Sequence, residues 1–120
     1  MRQIIRSLLF LSLVVPVIAN ATVVWSGCQT IVAISTEPNQ ASLLITLSPG
    51  IAGCSAQGIT GAINFTIGQE SLAATDLSNI LGTSVSAYAL GKQVMLAYDN
   101  ATTSCYGAAV SIGGYEAQCP

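Results

Sequence analysis

Cys28, Cys54, Cys105 and Cys119 are the residues of this chain most able to do chemistry, and the compartment decides which. Four thiols in a reducing environment point to a metal or a redox centre; in an oxidising one they pair as disulfides. No C-x-x-C pair occurs, so the spacing disfavours zinc. Histidine is absent, which removes the commonest general base and with it the Ser-His-Asp and Cys-His arrangements. A Ser–Lys dyad would have to use Lys92, which follows Gly91 and reads instead as a cation at a helix C-terminus. Glycoside hydrolysis needs two carboxylates across a cleft. Glu70 and Asp76 flank an expected helix start, where negative charge has a structural use. Asp99 begins a turn and is expected to bond its own backbone, while Glu37 and Glu116 read as solvated charges. No catalytic residue, cofactor or metal site is assigned.

Aromatic side chains are the remaining binding candidates, because flat rings stack on sugars and phenols add hydrogen bonds. Tyr106, in a turn beside Cys105, leads, with Trp25 and Tyr115 after it. The competing reading of Tyr106 is a ring packed over a disulfide, and Trp25 is balanced between core and surface. Tyr88 and Tyr98 fall in phase with apolar neighbours and are expected in the core.

The N-terminus settles the expected compartment. Residues 1–21 carry Arg2 and Arg6, an apolar run from Leu8 to Val15, and the small-residue site Ala19-Asn20-Ala21. This is the pattern of a cleaved export signal, with cleavage marked by Ala19 and Ala21. The apolar run is shorter than the about 20 residues a membrane-spanning helix needs, which disfavours an uncleaved anchor. The protein is expected to be secreted or periplasmic, with 22–120 forming one disulfide-stabilised domain. After cleavage Lys92 stands alone against five carboxylates, a net charge of −4. One base cannot neutralise a phosphate backbone, so nucleic acid is excluded as a partner. Attraction to anionic membrane surfaces is weakened likewise.

Stretches 23–34, 42–47 and 59–67 are rich in β-branched residues and read as strands, with Gly27 a bulge or bend in the first. Glu37-Pro38-Asn39-Gln40 and Ser48-Pro49-Gly50 are turns. Leu77, Ile80, Leu81, Val85 and Tyr88 recur at helical spacing, predicting a helix over 76–90. Asp76 or Thr75 would cap its start and Gly91 its end. Strands over 93–98 and 108–112 follow, the last able to run past Gly113-Gly114. The expected class is mainly β with one helix. The order β-β-β-α-β-β is that of an OB-fold, a five-stranded barrel closed at one end by a helix. A five-stranded sheet packed on one helix in another topology would give the same order.

The segment Ala87-Tyr88-Ala89-Leu90-Gly91-Lys92, followed by Val94-Met95-Leu96-Ala97-Tyr98-Asp99, adds a resemblance. It resembles small exported proteins of Gram-negative bacteria in which a helix ends in A-x-x-x-G-K-x-V and the next strand ends in Y-D/E. The same helix–Gly–strand unit is similar to the receptor-binding B subunits of subtilase-cytotoxin-like and pertussis-like AB5 toxins. The resemblance implies an OB-fold, a homo-oligomeric ring of five and recognition of a cell-surface glycan, and it places no sugar-contacting residue on this chain. Spacing alone leaves three disulfide connectivities open. In the exported group one cysteine precedes the third strand and another follows the fourth, places held here by Cys54 and Cys105. The resemblance therefore implies Cys54–Cys105, with Cys28–Cys119 joining the first strand to the C-terminal end.

The expected function is that of a secreted, non-enzymatic binding module, sharpest as a glycan-recognising one. The alternatives are a monomeric protein-interaction or envelope structural protein, and a small secreted hydrolase.

Overall fold

A computed structural model describes residues 23–37, 41–112 and 119. The leader with Ala19 and Ala21, most of the Glu37–Gln40 turn, the Gly113-Gly114 extension and Tyr115 lie outside the described residues. The fold is mainly β with one helix. Its strands are β1 (Val23–Trp25), β2 (Thr30–Glu37), β3 (Ser42–Ser48), β4 (Ala62–Thr66), β5 (Val94–Asp99) and β6 (Gly107–Ile112), with α1 (Ala74–Leu90) between β4 and β5. They form two antiparallel three-stranded sheets, ordered β2-β3-β4 and β1-β5-β6.

Where the sequence led to five strands, the described residues form six, in two sheets. The single strand predicted over 23–34 is divided, and its side chains explain the division. Ser26 is buried, and its Oγ accepts the Leu96 N–H at 2.9 Å while donating to the Gly27 carbonyl. Pairing with β5 resumes at Gln29, which exchanges two 2.8 Å hydrogen bonds with Val94. Gly27 and Cys28 thus stand opposite the single residue Met95, a β-bulge that turns the chain from one sheet into the other. The sheets meet again at a parallel bridge between Asn64 and Tyr106.

The core lies between the sheets and under α1, built from Ile31, Leu43, Ile45, Leu47, Ile63, Phe65, Val94 and Leu96. Gly107 is required there, since a Cβ at that position would stand 2.3 Å from the Phe65 ring. Both disulfides are formed: Cys54–Cys105, with both residues buried, and Cys28–Cys119, with both half-buried. This is the connectivity that the resemblance implies.

The helix starts two residues before the predicted 76, and neither Thr75 nor Asp76 is its N-cap. Asp76 lies within the first turn, where its carboxylate accepts the Ala73 N–H at 2.9 Å. Its end is as expected. Gly91 adopts the left-handed conformation (φ 63°), with Lys92 N–H on the Ala87 carbonyl and Gly91 N–H on that of Tyr88, a Schellman closure.

The buried stripe of α1 is Ile80, Ser84 and Ala87. Small side chains at 84 and 87 let the helix approach the sheets closely, with the Ser84 hydroxyl satisfied by the Ile80 carbonyl at 2.7 Å. Val85 and Tyr88 are left on its flank. The expectation that Tyr88 is core is therefore corrected: it is 56% exposed, while Tyr98 is half-buried against the core.

Candidate functional site

β1 is the outer strand of its sheet and aligns Val23 with Asp99 and Trp25 with Ala97. Directly opposed residues share a face, and alternate residues along a strand return to it. Val23, Trp25 and Asp99 therefore lie on one face, the one turned from the core residues Val94 and Leu96. Trp25 is 51% exposed there, so an indole of large apolar area is displayed beside a carboxylate.

Asp99 is held by its surroundings. Its Oδ1 accepts the Ala101 N–H at 2.8 Å, the turn-forming bond expected from the sequence, and its own N–H donates to the Tyr106 carbonyl at 2.9 Å. Tyr106 in turn bridges to Asn64, whose Oδ1 accepts the Thr66 hydroxyl at 3.0 Å. The ends of β4 and β5 and the start of β6 thus gather around Tyr106, which is half-buried beside Cys105.

A second carboxylate reaches the same place. Glu70 lies in the turn from β4 to α1, closed by Gly68 N–H on the Leu72 carbonyl at 3.0 Å. Glu70 (φ 53°) and Ser71 (φ 59°) are both left-handed without being glycine, a conformation that costs about 1–3 kcal/mol each. The turn presents the Glu70 carboxyl to Asp99. Partial burial raises the Glu70 pKa above 4.5, and the hydrogen bond and charge of Asp99 raise it further. Carboxyls within hydrogen-bond reach of each other are closer than the about 5–9.5 Å that separates the acid and its partner in glycoside hydrolases, so the pair lacks that geometry.

The remaining candidates disperse. Lys92 is exposed beyond the helix end, Asp76 serves the helix start, and Glu37 lies at the far end of β2. Among the described residues no group of three or more His, Cys, Asp or Glu side chains is placed to hold a metal. Among them, too, no helix is long and apolar enough to cross a membrane. Sequence reasoning missed the meeting of Glu70 and Asp99. The one available signal is that Asp99 ends a strand and Glu70 follows one closely, and only the Asn64–Tyr106 bridge makes those ends neighbours.

In comparisons with known proteins, no family model, no curated protein and no solved structure matches the chain.

Proposed function

We propose that this chain is an exported, non-enzymatic binding module whose Trp25 face recognises a cell-surface glycan. The observation that carries the reading is the half-exposed Trp25 sharing a sheet face with Asp99, whose carboxylate is fixed by backbone and by Glu70. Indole stacking on a sugar ring with a carboxylate accepting from its hydroxyls is the chemistry such a surface provides. The acidic pair favours neutral or amino sugars over acidic ones, since like charges repel. Export is supported by the signal pattern of residues 1–21 and by the two disulfides.

The barrel belongs to this proposal as well. Reading through the bulge at Gly27 and the bridge between Asn64 and Tyr106, the strands follow one another in a cycle, with α1 joining the two sheets. That order supports an OB-type barrel, the architecture implied by the resemblance to toxin B subunits, and the same resemblance favours a ring of five.

The test is a glycan array probed with the oxidised mature protein and with Trp25→Ala, alongside native mass spectrometry. Retention of a neutral glycan that Trp25→Ala loses without a change in melting temperature is the expected result. Undiminished binding by Trp25→Ala, or turnover of a glycoside or peptide by the purified chain, would overturn the proposal. A monomer that retains no glycan would favour the protein-interaction alternative.

A further inference from the structure

The outer face of the β1-β5-β6 sheet carries more than Trp25 and Asp99. The Asp99 N–H donates to the Tyr106 carbonyl, so Tyr106 stands beside Asp99 at the entry to β6. Its neighbour fixes the side on which its ring lies. Gly107 faces inward, since a Cβ there would strike the Phe65 ring, and successive residues of an extended chain point to opposite faces. Tyr106 therefore projects outward, onto the face that holds Trp25 and Asp99, where it is half-buried.

The bridge to β4 extends this row. Asn64 opposes Tyr106 and lies between Ile63 and Phe65, both fully buried, so it too points outward. Its Oδ1 accepts from the Thr66 hydroxyl, which leaves its amide N–H groups to donate to a ligand. Asp99, Tyr106 and Asn64 thus form one row across three strands and both sheets. Trp25 stands one level further along, where β5 and β6 carry the methyl groups of Ala97 and Ala109 on the same face. From Trp25 to Tyr106 the backbone runs two strand spacings across and two residues along, roughly 12 Å. One pyranose ring cannot lie against both aromatic side chains at that separation, whereas a short chain of linked rings can.

We propose that Tyr106 is a second stacking platform and that the site takes a linear neutral oligosaccharide. One sugar ring lies on Trp25 and another on Tyr106, with Asp99 and Asn64 bonding the hydroxyls around them. Sugar hydroxyls donate and accept together, and the row offers an acceptor in Asp99 and a donor in Asn64. The inference rests on the glycan reading above and deepens it. Trp25 alone would read a single sugar, whereas the full row reads the length of the chain.

The test is an array of mono-, di-, tri- and tetrasaccharides of β-linked glucose, galactose and N-acetylglucosamine, followed by titration calorimetry of the oxidised mature protein with the retained series. Affinity should rise at least about tenfold from monosaccharide to trisaccharide. Tyr106→Ala should remove that rise and leave monosaccharide binding unchanged, while Tyr106→Phe, which keeps the ring, should preserve it. If Tyr106→Ala does not melt cooperatively, Ala109→Gln decides: its longer side chain stands between the platforms and should lower trisaccharide but not monosaccharide affinity. Retention of no glycan by the wild-type chain would overturn the glycan reading and this inference together. Equal affinity for mono- and trisaccharide, or a rise that survives the deciding variant, would overturn this inference alone and leave a single-sugar site at Trp25.

Discussion

The two sheets of this molecule are built to different ends. In β2-β3-β4 the central strand β3 is covered on both sides. Leu43, Ile45 and Leu47 face the main core, while Leu44 packs with Ala56 and Ala62 beneath the loop that carries Cys54. In β1-β5-β6 one face meets the core and the other displays Val23 and Trp25. A strand buried on both faces has every side chain committed to packing, so its sequence answers to stability. A strand with one free face can hold an exposed indole and an acidic pair at little cost to the fold. The contrast separates the part of the chain that makes the domain from the part available to act.

That contrast is open to challenge by mutation. Phe65→Ala, in the covered sheet, should destabilise the protein by about 3–5 kcal/mol in chemical denaturation. A loss under about 1 kcal/mol would mean that the core around Gly107 collapses to fill the gap. The disulfides should divide in the same way. Each closes a long loop, 51 and 91 residues apart in sequence, for a similar entropic stabilisation of about 4–5 kcal/mol. Access separates them, because thiol exchange requires a reachable sulfur. Graded reductant followed by alkylation and mass spectrometry should label Cys28 and Cys119 before Cys54 and Cys105, and the reverse order would break the comparison.

Smaller effects sharpen it. Ser42→Ala deletes a buried hydroxyl that has no partner, so it should raise the stability of the chain by about 1 kcal/mol. Glu70 gives a pH signature. Its pKa is raised in the folded state, so its contribution favours folding below the ordinary value near 4.5 and is lost as pH rises through the raised value. Glu70→Gln should flatten that segment of the stability–pH profile; an unchanged profile would separate Glu70 from Asp99. Trp25→Ala should have the least effect on the fold, within about 0.5 kcal/mol in a thermal melt, as expected of an exposed side chain.

Much of the architecture was legible because it is local. β-Branched residues such as Ile63 and Thr66 placed β4, and Gly91 marked the helix end because glycine adopts the left-handed closure there without strain. The division of the first strand was only half legible. Gly27 signalled a bulge, but the hydroxyl of Ser26 bonding Leu96, seventy residues away, is what fixes it. Tyr88 shows how apolar periodicity misleads. Hydrophobic size drew attention to Val85 and Tyr88, whereas Ser84 and Ala87 are buried because small residues admit the closest approach.

By itself, then, the sequence determined the mainly β class with a single helix, the helix terminator and the absence of histidine chemistry. These follow from residue type and short-range spacing, which chain geometry converts directly into backbone conformation. Only the tertiary structure decided that Glu70 meets Asp99 and that Trp25 stands on the same face. Each of those depends on which strand ends become neighbours across a bulge and a single bridge, and that proximity is a property of the packed chain that no local pattern encodes.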